Sequence, residues 1–151
     1  MNMHKDNEKL LLPNLSMRLK RILADKKRRS DERADARRSM AMVEKRLARW
    51  VAEGRYRERY CSMDMILEDL GLTRNELCSY CSRKYHKPFL SWRKELRMAD
   101  ARRMLLDFPD VPVYKIASDL GIDDKSNFRH QFKSVTGLTP SEWRQKFRKK
   151  T

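Results

Sequence analysis

The chain has 151 residues, of which 36 are Lys or Arg and 21 are Asp or Glu, giving a formal net charge of +15. That length holds one ordinary domain or two small ones. The 40% hydrophobic content, only four glycines and scarce period-two alternation argue against a sheet-built protein and for an all-α one. So basic a balance directs attention to polyanionic partners, nucleic acid above all; a solvated basic surface is the plainer account.

The apolar run at 10–12 is followed by Pro13 and is too short for a secretory segment or a membrane span. Cys61, Cys78 and Cys81 are an odd count without a secretory signal. The expectation is a soluble cytoplasmic protein with reduced thiols and no membrane partner.

Residues 1–33 read as a weakly structured basic segment. Leu15, Leu19, Ile22 and Leu23 have helical spacing after Pro13, so a short amphipathic helix is expected there. Residues 26–33 are a charge block with no apolar partner, either a solvated stretch or a basic arm on DNA phosphates. Residues 34–55 read as an amphipathic helix: Ala36, Met40, Val43, Leu47 and Trp50 recur at spacings of 4, 3, 4 and 3, and Gly54 ends it. Its stripe either docks on the domain that follows or forms a homodimer or relay through residues 34–53.

From residue 56 a repeated pattern begins. Ser62 can cap a helix that has Asp64 in its first turn. In the second copy Ile116, Ala117 and Leu120 share a face, and Gly121 suits a sharp turn with φ > 0. Asp123 and Asp124 offer oxygens to open the next helix. That helix is expected to bury Phe128 and Phe132 with Val135 alongside, and Gly137 ends it. Helix, glycine-containing turn, helix is the helix-turn-helix pattern.

Ile66, Leu70 and Gly71 match Ile116, Leu120 and Gly121 at an offset of 50. Beyond the turn, Leu77, Cys81, His86, Trp92 and Arg93 match Phe128, Phe132, Gly137, Trp143 and Arg144 at an offset of 51. The chain therefore contains two copies of one unit. Each leaves a polar outer strip, Asn75, Cys78, Ser79 and Ser82 in the first and Ser126, Arg129, His130 and Lys133 in the second. Residues 89–107 read as a continuous helix between the copies, with Leu90, Leu96, Ala99, Leu105 and Leu106 available to pack and Arg93, Lys94, Arg97, Arg102 and Arg103 as its charges. Residues 108–112 end it. The basic tail after Trp143 is expected to fray.

The blocks LGLTRNEL, Lys87-Pro88-Phe89 and ELRMADARRMLL, then YKIASDLGI, NFRHQF and TGLTPSEWR, resemble the DNA-binding domain of AraC/XylS-type bacterial transcription regulators over residues 62–147. The resemblance implies seven short helices, with one recognition helix per unit entering adjacent major grooves. The organisation it implies is an AraC-like domain over 56–151, with helix-turn-helix units at 62–92 and 113–147 and a linker helix at 89–107. The fold class is all-α: two helix-turn-helix subdomains joined by a long linker helix, preceded by a helical or partly disordered basic segment. Leu67, Cys81 and His86 stand where the family has Ala, Phe and Gly. Cys81 leaves space for Tyr85 or Trp92 to fill, and His86 is expected in the left-handed region. Arg is common in the family where Ser79 and His130 stand, so the bases read do not carry over.

The base-reading candidates are Asn75, Cys78, Ser79, Ser126, Asn127, Arg129 and His130. Arg129 leads, because a guanidinium can bridge guanine O6 and N7. The phosphate candidates are Arg74, Ser82, Arg83, Lys84, Lys125 and Lys133. Cys78-x-x-Cys81 raises a zinc or redox reading, but its companions are only Cys61, His86 and His130, and Cys81 holds a core position. No metal, cofactor or catalytic set is expected. The expected partners are double-stranded DNA, RNA polymerase and a second copy of the chain.

Overall fold

A computed structural model describes the backbone of residues 6–60 and 62–148 and the side chains of residues 14–60 and 62–148. Cys61 and the ends of the chain lie outside the described residues. Among these residues the structure is helical throughout: α1 (Asp6–Ala52), a 3-10 turn (Arg55–Arg57), α2 (Met63–Leu70), α3 (Arg74–Tyr85), α4 (Phe89–Asp107), α5 (Val113–Asp119), α6 (Lys125–Thr136) and α7 (Pro140–Phe147). No described helix is long and apolar enough to cross a membrane. The chain divides into two units, Met1–Ala41 and Met42–Thr151.

In the first unit the weakly structured segment expected up to residue 33 is instead helix from Asp6, and no break separates it from the helix expected over 34–53. The charge block is mixed in sign at helical spacing. Arg28 pairs with Asp25 at 3.2 Å and with Glu32 at 4.0 Å, and Arg38 with Asp35 at 2.6 Å. Pairs of this kind add a few tenths of a kcal/mol each, roughly 0.2–0.5, to residues that already favour helix. Leu15, Leu19, Ile22 and Leu23 are all exposed.

The second unit begins inside α1. Val43, Leu47 and Trp50 are buried, while Ala36 from the same expected stripe is exposed. The last turns of α1 are thus core, and the expected seam over 34–53 has its C-terminal half covered by its own chain. Trp50 packs against Tyr56 and Phe89 at centroid distances of 6.4 and 5.8 Å. Its indole N–H donates to Asp69 at 2.9 Å.

The two copies correspond in element order: α2 to α5, α3 to α6, and the start of α4 to α7. α3 and α6 have 12 residues each. Both end in the left-handed region, at His86 with φ 55° and at Gly137 with φ 79°. In the first copy Tyr85 stacks on Trp92 at 4.7 Å and 9° and takes the edge of Tyr80 at 5.8 Å.

The core of the second copy joins Ile116, Ala117, Leu120, Ile122, Phe128 and Phe132 to Met98, Ala101 and Leu105 of α4. One side of α4 therefore belongs to each copy, which revises the expected packing of this helix. Leu90, Ala99 and Leu106 are exposed and Arg93 is buried. Arg93 lays its stem inward and spends its guanidinium on main-chain carbonyls. Val135, expected beside Phe132, is 37% exposed, because Trp143 takes the edge-to-face place on Phe132 at 5.9 Å and 82°. Arg144, expected to fray with the tail, is anchored in α7, donating to the carbonyls of Leu105 at 3.1 Å and Val111 at 2.7 Å.

Candidate nucleic-acid interface

Each outer strip is displayed by a helix whose start is pinned by hydrogen bonds. Thr73 and Glu76 form a capping box on α3: the Thr73 hydroxyl accepts from the Glu76 N–H at 3.2 Å, and Glu76 accepts from the Thr73 N–H at 2.8 Å. The main-chain donation from Thr73 holds the Glu76 carboxyl below its ordinary range. α6 opens on Asp124, which accepts from the Asn127 N–H at 2.5 Å. Asp123 does not share that role; it pairs with Arg59 at 2.7 Å. Leu77, Tyr80 and Cys81 on α3, and Phe128 and Phe132 on α6, hold the inner faces in the core. Burial this complete fixes each helix's rotation about its axis, and so decides which residues point outward.

Asn75, Cys78, Ser79 and Ser82 are all exposed along α3. Ser126, Arg129, His130 and Lys133 are exposed along α6. The Ser79 hydroxyl donates weakly to Asn75 at 3.4 Å, leaving the strip on α3 uncharged. Asn127 is exposed on the flank of α6 and accepts from Gln131 at 2.9 Å.

The phosphate candidates divide by environment. Arg74 is paired with Asp64 at 3.2 Å, and Lys84 with Glu44 of α1 at 3.2 Å. Each already has a carboxylate that phosphate must displace. Arg83, Lys125 and Lys133 are exposed, and among the described residues no carboxylate lies within ion-pair distance of them. Lys125 lies over the Tyr114 ring at 5.1 Å, a cation–π contact.

Sequence reasoning missed the groove beside α6. Tyr114, Lys125, Arg129 and Ser141, with the start of α7, line a cavity of about 410 Å³. Tyr114 is 55% exposed, and a large ring left in solvent next to a basic strip was the available signal. α7 opens with its own capping box, Thr139 and Glu142. Main-chain hydrogen bonding from Thr139 holds the Glu142 carboxyl below its ordinary range, assisted by Lys133 and Arg129. Both cations are therefore near an acid.

Cys78 is exposed and Cys81 is buried. Burial pushes the Cys81 thiol up to about 11, the reverse of what a metal-ligating thiolate needs. Among the described residues no group of three or more His, Cys, Asp or Glu is placed to hold a metal ion.

A helix-turn-helix domain family model matches residues 66–146, more than half of the chain. Over 55 residues the chain is 38% identical to the arabinose operon regulatory proteins of Salmonella typhimurium and Escherichia coli K12. The chain belongs to the AraC/XylS-type family of helix-turn-helix transcription regulators. The matched part is 36% of this chain but only 19% and 18% of those two relatives, so it spans less than a fifth of their length.

Solved structures of AraC-type domains agree with the fold. The C-terminal domain of AraT, a response regulator from Geobacillus stearothermophilus, superimposes with a TM-score of 0.63 at 20% identity, over 72% of this chain and 88% of that one. The C-terminal domain of the two-component response regulator yesN from Fusobacterium nucleatum gives 0.58 at 26% identity, over 67% and 97%. The DNA-binding domain of AdpA, a global transcriptional factor solved with a target DNA, gives 0.59 at 18% identity, over 70% and 91%.

Proposed function

We propose that this chain regulates transcription in the cytoplasm by placing α3 and α6 in adjacent major grooves of an asymmetric DNA site. The observation that carries the reading is the pair of 12-residue helices with matching ends, each with a buried apolar face and an exposed polar one. Family membership and the similarity to AdpA's DNA-binding domain support it. In this reading Arg129 bonds a guanine edge and the rest of the α6 strip reads beside it, with Asn127 at the flank. Asn75, Cys78 and Ser79 read from α3 through neutral groups. Lys125, Lys133, Arg83 and Ser82 bond phosphates, while Arg74 and Lys84 do so only by exchanging a carboxylate for a phosphate. Because the two strips differ, the site differs in its two halves.

Selection of bound sequences from a random duplex pool tests the proposal. The expected outcome is an asymmetric motif with two half-sites about one helical turn apart, ~10 base pairs. A motif confined to one half, or none, sinks the two-groove reading.

A second reading makes α1 a protein–protein or signal-coupling element with DNA binding as its output. Its support is the row Leu15, Leu19, Ile22 and Leu23, each more than half exposed on one helix. Light scattering on the full chain and on residues 42–151 separates the readings. Self-association only in the full chain favours the second; monomers in both leave the first alone.

A further inference from the structure

Residues 55–60, between α1 and α2, touch both helix-turn-helix units and the helix that joins them. Toward the first unit, Arg55 donates to Asp69 of α2 at 3.1 and 2.5 Å, and the Tyr60 hydroxyl bonds the same carboxylate. Toward α4, Arg93 and Arg97 each donate to two carbonyls of the segment. They reach Tyr56 O at 3.0 and 2.8 Å, and Glu58 O at 2.5 and 2.9 Å. Arg57 pairs with Asp100 at 2.6 Å.

Toward the second unit, Arg59 donates to the Ser118 hydroxyl at 2.9 Å and pairs with Asp123 at 2.7 Å. Ser118 lies in the last turn of α5, and Asp123 immediately precedes the cap of α6. Between them sits Gly121, where an added Cβ would collide with the Arg57 carbonyl oxygen. The segment thus presses on the turn that aims α6.

We propose that residues 55–60 are a staple that fixes the separation of the two recognition helices, and that Arg59 is a positioning residue for DNA recognition. Without the staple, the units would be joined through α4, against which elements of both pack. A helix fixes a distance along its axis, but the tilt of α5 and α6 against it depends on what else they touch. The staple adds a second connection from α2 to the α5–α6 turn, and two points of attachment restrain tilt where one does not. The consequence for DNA, which rests on the two-groove reading, is intolerance of altered half-site spacing.

The test reads the separation first without DNA. Spin labels are placed at Ser82→Cys and Lys133→Cys in the full chain, with Cys61 and Cys78 replaced by serine. Their distance distribution is measured by double electron–electron resonance. With Arg59 intact one narrow distribution is expected. Arg59→Ala should broaden or shift it, Arg59→Lys, which keeps a cation for Asp123, should restore most of it, and Gly121→Ala should shift it furthest.

The unlabelled proteins are then compared on a selected duplex and on one with about two base pairs inserted between half-sites, which puts the second half out of phase. The penalty for the insertion should fall about threefold in Arg59→Ala, the scale of one exposed ion pair. Distributions that coincide in all four proteins overturn the staple, whatever happens on DNA. A distribution that responds to Arg59→Ala, with a wild type indifferent to spacing, upholds the staple and sinks the two-groove reading instead. Should Gly121→Ala fail to fold, the alanine and lysine variants at Arg59 still decide.

Discussion

Arg93 and Arg144 stand 51 positions apart and do the same work at equivalent places in the two copies. Arg93 donates to the carbonyls of Tyr56 and Glu58, the segment leading into α2. Arg144 donates to those of Leu105 at the end of α4 and of Phe108 and Val111 in the segment leading into α5. In each copy the helix after the recognition helix reaches back and secures the entrance to the unit. Replacing Arg93 by Ala should cost about 1.5–3 kcal/mol, the worth of a hydrogen bond to a charged group, because Arg97 still donates to both carbonyls. Arg93→Lys should recover little, since an ammonium does not reproduce the guanidinium fork. Urea midpoints of the full chain measure both, and an alanine variant as stable as the parent would remove Arg93 from this role.

The covered end of α1 makes the start of the stable unit a matter of experiment. Residues 42–151 should unfold cooperatively, whereas residues 56–151, which lack Val43, Leu47 and Trp50, should not. In the longer piece Trp50→Ala should cost about 3–5 kcal/mol, as removal of a large buried ring does. Thermal melts followed by circular dichroism compare the three proteins. A sharp transition in the shorter fragment would show that α1 is dispensable to the core.

Arg129 and Lys133 lie one turn apart on α6, so their replacement separates two kinds of DNA contact. Arg129→Ala should weaken binding to a selected site by about 1–3 kcal/mol and relax one base position. Binding to random duplex should change less. Lys133→Ala should weaken both duplexes alike and reduce the salt slope by about 1. Equal losses on both duplexes for Arg129→Ala, or an unaltered slope for Lys133→Ala, would exchange or cancel these roles.

How much of this was open to sequence reasoning follows from how local each signal is. The two copies were legible because apolar period, glycine and cap residues all act within a few positions. The outer strips followed from the phenylalanines and leucines opposite them. Arg93 and Arg144 were not legible: an arginine in a helix reads as a solvated charge until the carbonyls that accept from it, tens of positions earlier, are brought alongside. Arg74 and Lys84 were hidden for the same reason, since Asp64 and Glu44 lie on other helices. The charge block at 26–33 misled because it was weighed by net charge, when its mixed signs at spacings of three and four favour helix.

Three carboxyls should make the fold sensitive to acid. Glu76 and Glu142 are held low chiefly by the main-chain N–H groups they cap, and Asp69 chiefly by Arg55. A carboxyl depressed in the folded state stabilises it above the unfolded value, near pH 4. That contribution is lost as pH falls further, through the depressed values. Urea midpoints should therefore be flat from neutrality to about pH 5 and fall below it. The double variant Glu76→Gln, Glu142→Gln keeps both caps without a charge and should fall less steeply; an identical profile would assign the acid sensitivity elsewhere.

The two thiols three positions apart on α3 should behave oppositely. Iodoacetamide at neutral pH should modify Cys78 rapidly and leave Cys81 intact until the protein unfolds, which peptide mass mapping resolves. Because the folded Cys81 thiol is pushed up to about 11 from an ordinary 9.0, its contribution to stability is complete below pH 9 and declines as pH rises toward 11. Alkylated Cys78 should impair DNA binding if the α3 strip faces a groove, and an unimpaired adduct would take that residue off the reading surface.

The left-handed ends of α3 and α6 bear on how this sequence is free to drift. Position 137 requires only an unusual backbone angle, for among the described residues nothing lies within 4 Å of where a side chain would begin. The first copy already carries a histidine at the equivalent place. Position 121 carries a second restriction, because the Arg57 carbonyl occupies the space itself. A saturation library sorted for folded protein should therefore return several residues at 137, asparagine foremost, and glycine alone at 121. Two glycines that look interchangeable on the page have unequal evolutionary futures, one set by an angle and the other by a neighbour.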